Sequence, residues 1–104
     1  MPRITHEQVM EIFRILRMIR GRAYFFFKNF KYILSMDGLI RARDKNFNVV
    51  EWSRAFGSKA PHEVLNSLEV ERVEVQLKKQ PEPIVFSSMP EFLDWLGSKK
   101  GKSL

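Results

Sequence analysis

At 104 residues the chain has length for one domain, and its 44% hydrophobic and 29% charged residues are those of a folded globular protein, not a disordered one. The absence of cysteine excludes disulfides and thiolate chemistry and leads us to expect a reducing, cytoplasmic setting. No apolar run approaches the ~20 residues that span a bilayer, and no secretory pattern is read at Met1–Glu7, so neither membrane insertion nor secretion is expected.

Thr5-His6-Glu7-Gln8 has the form of a capping box, and a helix is expected from it. At ~100° per residue Val9, Ile12, Ile15, Leu16 and Ile19 share one face, opposite Glu7, Glu11, Arg14 and Arg17. Gly21 is the expected stop.

Residues 23–35 are ambiguous. Their aromatic content favours strand, but at helical spacing Phe26, Phe27, Phe30, Ile33 and Leu34 share an arc, whereas at strand spacing Phe27 falls with Asn29 and Lys31. A helix is the preferred reading, with Phe26, Phe27 and Phe30 as core and Tyr24 and Phe25 nearer its edge. A meander of strands turning at Lys28-Asn29 is the rival. Asp37-Gly38 then ends the helix or, in the rival, forms a two-residue hairpin turn.

Leu39–Arg43 reads as a short strand. Asn48, with Glu51 at the third helical position and Phe47 and Trp52 as a hydrophobic staple, predicts a helix ending at Gly57. Ser58 is the expected cap of another helix, carrying Val64, Leu65 and Leu68. From Val70 the period becomes two, with Val73, Val75 and Leu77 opposite Glu74, Gln76 and Lys78. Gln80-Pro81-Glu82-Pro83 is the turn into a strand at Ile84–Ser87, and a last helix is expected from Ser88 to Gly97. The expected fold is α+β, a single domain over 1–98 with helices on a short antiparallel sheet, followed by a flexible basic tail over 99–104.

The net charge of +6 is unevenly placed. Residues 1–35 hold seven Lys/Arg against two Glu, whereas residues 60–98 hold three against seven acids. His6 and His62 lack further ligands at metal-site spacing, and no phosphate loop or nucleophile elbow is present. No enzyme activity, cofactor or metal is expected.

The order α-α-β-α-α-β-β-α matches that of a winged helix-turn-helix domain. In that arrangement Lys59, His62 and Asn66 would reach the major groove, Lys78 and Lys79 would meet phosphate beside the wing, and Arg54 would flank them. Glu63, Glu69, Glu71 and Glu74 make this segment acidic, which argues against it as the phosphate surface. The alternative basic surface is Arg14, Arg17, Arg20, Arg22, Lys28 and Lys31, with Arg41 and Arg43. The expected function is a nucleic-acid-binding regulator using this N-terminal surface for backbone contacts. A protein-interaction module, an inhibitor or adaptor docking on an acidic protein surface or pairing as a homodimer, is the other reading.

Overall fold

The computed structural model describes residues 3–100 and is an α+β domain built on one antiparallel sheet. The elements are α1 (His6–Met18), β1 (Gly21–Phe27), β2 (Tyr32–Met36), β3 (Ile40–Asp44), β4 (Val49–Val50), α2 (Trp52–Phe56), α3 (Pro61–Ser67), β5 (Val70–Leu77), β6 (Ile84–Phe86) and α4 (Met89–Lys100). The six strands lie in the order β4-β3-β2-β1-β5-β6.

Helix α1 starts at the capping box expected for it. Gln8 N donates to Thr5 Oγ1 at 3.1 Å, and Thr5 N donates to Gln8 Oε1 at 2.8 Å. Val9, Ile12, Ile15 and Leu16 are its buried face. The helix ends at Met18, before Gly21, and the left-handed backbone position after it is taken by Arg20, at φ +57°. Gly21 opens β1 instead, where an added Cβ would stand 3.2 Å from Leu77 Cδ2 and 3.4 Å from Leu16 Cδ2.

The helix expected over 23–35 is replaced by the hairpin β1–β2, turning through Lys28–Lys31 with Asn29 at φ +53°. Asn29 and Lys31, which spoil the period-two pattern, are turn residues and never alternate. Within the strands the alternation is clean. Ala23, Phe25, Phe27, Leu34 and Met36 face the helices and belong to the main core, while Phe26, Ile33 and Ser35, also buried, point to the other face. Phe25 is therefore core, contrary to the helical reading, because a strand apolar on both faces buries the consecutive Phe25 and Phe26 alike.

Strand β3 falls within one residue of its expected position. The turn before it spans three residues, Asp37–Leu39, with Gly38 at φ +97°. Asn48 caps no helix. Asp44 Oδ1 accepts the N–H groups of Asn46 and Asn48 at 2.9 and 3.0 Å, and Asp44 N donates to Asn48 O, so this run closes the β3–β4 hairpin. Helix α2 begins only at Trp52, with Gly57 at φ +67° closing it. Helix α3 starts at Pro61 after Ala60, not at Ser58, and Glu63 Oε1 accepts the Ala60 N–H at 2.7 Å. Strands β5 and β6 lie where the alternation and the Gln80–Pro83 turn place them.

Helix α4 runs through Gly97 to Lys100 instead of stopping at the glycine, so the expected tail begins inside it; residues 101–104 lie outside the described residues. The observed order is α-β-β-β-β-α-α-β-β-α. From β4 onward the order β-α-α-β-β-α is the expected one, and the departure from the winged-helix order lies in the strands β1 and β2 where a second helix was expected.

All four helices contribute to, or pack against, the core on one face of the sheet, with Phe25, Phe27, Val73, Phe86, Phe92 and Leu96 at its centre. Phe25 meets Phe92 edge-on at 5.5 Å, and Phe92 meets Phe86 at 5.7 Å. Among the described residues the other face has no helix on it. Among the described residues no helix is long and apolar enough to cross a membrane.

Candidate nucleic-acid interface

The strand registers determine what lies on the helix-free face. One row runs Val49–Arg43–Ile33–Phe26–Arg72, the next Arg41–Ser35–Tyr24–Glu74–Val85, and Arg22 beside Gln76 completes it. Aromatic, cationic and polar side chains therefore interleave across the middle of the sheet.

Phe47 comes down onto this face from the β3–β4 turn. Its ring meets Tyr24 edge-on at 5.3 Å and Phe26 at 6.1 Å. Phe26 is only 4% exposed beneath it, whereas Phe47 is 42% exposed and Tyr24 half-buried, so Tyr24 and Phe47 are the rings a ligand can reach. The Arg72 guanidinium lies 3.9 Å from the Phe26 ring centroid and Lys45 Nζ 5.7 Å from it, placing cations on both flanks.

Phe47 sits at φ +65°, a left-handed conformation that a bulky side chain adopts only at a cost of roughly 1–3 kcal/mol. The position is held from both ends. Phe47 N donates to Asp44 O at 2.9 Å, and Arg43 Nη1 donates to Phe47 O at 2.6 Å. Arg43 also donates to Ser35 Oγ at 3.2 Å and to Asp37 Oδ2 at 2.5 Å. Three of its N–H groups are thus used inside the protein, one of them on the Phe47 carbonyl.

At the end of this face the C-terminal turn of α1, the start of β1, the β2–β3 turn and the end of β5 enclose a cleft of about 550 Å³. It is lined by Arg17, Arg20, Gly21, Arg22, Asp37, Gly38, Gln76, Leu77 and Lys78. Arg22, Asp37 and Gln76 also line a second depression, which continues over Tyr24, Arg43, Phe47, Glu74 and Pro83. The two depressions adjoin at these three residues, forming a groove whose first part is lined by cations and whose second part carries the rings of Tyr24 and Phe47.

The ion pairs decide which cations are available. Asp37 holds Arg43, with Arg41 at 3.6 Å; Arg72 is held by Glu71 and Glu74; Lys28 pairs with Glu69 at 3.1 Å; and Arg14 pairs with Glu11. Arg17, Arg20, Arg22 and Lys78 are exposed and make no ion pair among the described residues. Arg17 lies 5.9 Å from the Phe13 ring and also offsets the negative end of α1.

Of the cations expected from sequence, the fold brings Arg17, Arg20, Arg22 and Lys78 together, although Lys78 was expected at the wing and the arginines elsewhere. Lys31 lies against the Tyr32 ring at 5.4 Å. Arg54, Lys59 and Lys79 are exposed but line neither part of the groove.

The base-reading positions of α3 are otherwise engaged. Asn66 Oδ1 accepts Ile4 N at 2.9 Å and Asn66 Nδ2 donates to Ile4 O at 2.8 Å, which ties α3 to the segment before α1. The His62 ring lies half-buried, edge-on to His6 at 6.0 Å. Among the described residues no group of three or more His, Cys, Asp or Glu side chains could hold a metal ion.

Tyr24, Lys45, Phe47 and Gln76 were not anticipated as site residues. The available signal was the run Asp44-Lys45-Asn46-Phe47-Asn48, whose turn-forming residues surround an aromatic that a turn must expose. Comparison with protein-family models, with curated proteins and with solved structures finds no match.

Proposed function

We propose that this is a non-enzymatic protein that binds single-stranded nucleic acid along the helix-free face of its sheet. The observation that carries this reading is an adjacency: Arg17, Arg20, Arg22 and Lys78, which make no ion pair among the described residues, line a depression that shares Arg22, Asp37 and Gln76 with the one lined by Tyr24 and Phe47. Cations follow a phosphate backbone, and reachable ring faces stack unpaired bases, which a duplex keeps stacked on one another. Backbone contact through the basic N-terminal half is kept from the sequence reading, but on a sheet face in place of a winged helix.

Docking on an acidic protein has its own supporting feature, a depression on α1 lined by Met10, Phe13, Arg14, Arg17 and Met18. Arg14 there is already paired with Glu11, which leaves less charge to attract an acidic surface.

Fluorescence anisotropy with a labelled single-stranded oligonucleotide tests the proposal. The expected result is log K falling with log salt at a slope of about −2 to −3, near −0.7 for each phosphate contacted. Tyr24→Ala with Phe47→Ala should weaken binding by roughly 30-fold or more at little change in slope, since stacking contributes about 1–3 kcal/mol per base and two rings are lost. Absence of binding at low salt, or equal affinity for duplex with no effect of the double substitution, rejects the proposal.

A further inference from the structure

The cationic end of the groove carries more positive charge than one phosphodiester can balance. Arg17, Arg20, Arg22 and Lys78 line a single cleft without an ion-pair partner among the described residues, Arg17 also reaching the Phe13 ring. The carboxylate on its rim, Asp37, is already neutralised by Arg43 and Arg41. Like charges gathered in this way repel one another, and a bound anion relieves them in proportion to its charge.

Arg20 adds a second observation. It occupies, at φ +57°, the kind of left-handed position after a helix that glycine fills without strain, although Gly21 is the next residue. An arginine is thus placed at the wall of the cleft at some cost in backbone energy, a pattern found where strain serves a site.

The location matters as well. The cleft lies where β1 begins and β5 ends, with the last turn of α1 as its outer wall, and the aromatic ledge leads away over the sheet. A strand laid on Tyr24 and Phe47 would bring its backbone to the cleft.

We infer that this cleft takes the terminal phosphomonoester of a nucleic-acid strand, so that the protein binds phosphorylated ends in preference to internal segments. This rests on the single-strand reading above. A monoester carries close to two negative charges at neutral pH against one for a diester, and offers three oxygens to the guanidinium forks of Arg17, Arg20 and Arg22 and to the Lys78 ammonium.

The test uses the full chain and one internally labelled oligonucleotide sequence in three forms: 5′-phosphorylated, 3′-phosphorylated and unphosphorylated. One phosphorylated form should bind about tenfold more tightly than the unphosphorylated strand. That preference should shrink below about pH 6, where the monoester takes up its second proton. Arg20→Gly should abolish it without lowering the melting temperature, because glycine suits that backbone position. Equal affinity for all three forms overturns end recognition and leaves strand binding standing. Failure of every form to bind overturns the single-strand reading itself. Competition by inorganic phosphate as effective as the phosphorylated strand also overturns the inference, since the cleft would then be a site for small anions.

Discussion

Phe25→Ala should lower the unfolding free energy by about 3–5 kcal/mol, a large share of the ~5–15 kcal/mol that holds a domain of this size together. Phe25 is fully buried on β1, paired in register with Leu34 on one side and Val73 on the other, and its ring meets Phe92 of α4. Truncation removes the ring at the point where the sheet and α4 share their core, and the backbone there cannot close the gap because strands flank β1 on both sides. Phe47→Ala, by contrast, removes a ring that is already 42% exposed and leaves the left-handed backbone position unchanged, so its cost should be small. Urea denaturation monitored by circular dichroism gives both values. A loss of under ~1 kcal/mol for Phe25→Ala would place that ring outside the core and contradict the strand assignment.

The second large effect belongs to the groove. Replacing Arg20, Arg22 and Lys78 together by Ala should weaken single-strand binding by about 100-fold, taking roughly 1 kcal/mol for each solvent-exposed phosphate contact. The salt slope should become shallower by about 2. All three side chains are exposed and unpaired among the described residues, so the melting temperature should stay nearly constant, which separates lost contacts from lost fold. The matching control is Arg54, Lys59 and Lys79 to Ala, which removes the same formal charge from positions outside the groove. If the control weakens binding as much as the groove substitution, net charge and not the cleft governs affinity.

These residues show where sequence reasoning reaches and where it stops. Local chemistry was legible when it decided the structure unaided. The Thr5–Gln8 capping box, the stripe Val9–Ile12–Ile15–Leu16 and the alternation from Val73 to Leu77 all hold. Residues 23–35 were misread because their strands are buried on both faces. Phe25 and Phe27 lie on the helix side and Phe26 and Ile33 on the side of Phe47 and Arg43, so apolar residues on both faces hide the period of two, and Lys28, Asn29 and Lys31 of the turn leave a helical arc in its place. Asn48 failed for another reason: the same residue types cap helices and close hairpins, and Asp44 claimed its backbone for a hairpin. Gly97 was read as a stop, but it lies in a helix anchored by Phe92 and Leu96, and packing outweighs a propensity cost of about 1 kcal/mol.

The candidate site divides in the same way. Arg17, Arg20 and Arg22 are visible as a basic cluster in the sequence, yet Lys78 joins them only because β5 pairs with β1, bringing Gly21 opposite Leu77. Arg43 looked like a ligand and is a brace for Phe47, a role that depends on the positions of Ser35 and Asp37. The α2–α3 pair looked like a reading head, but Asn66 is spent on the Ile4 backbone.

The location of the interface is tested most directly by titrating isotope-labelled protein with a single-stranded oligonucleotide and following its amide and aromatic resonances. The largest shifts should fall on Arg20, Gly21, Arg22, Tyr24, Phe47, Gln76 and Lys78, tracing the groove across the helix-free face. Shifts confined to Arg54, Lys59, His62 and Lys79, with the groove unchanged, would move binding to the α2–α3 surface and contradict the proposed interface.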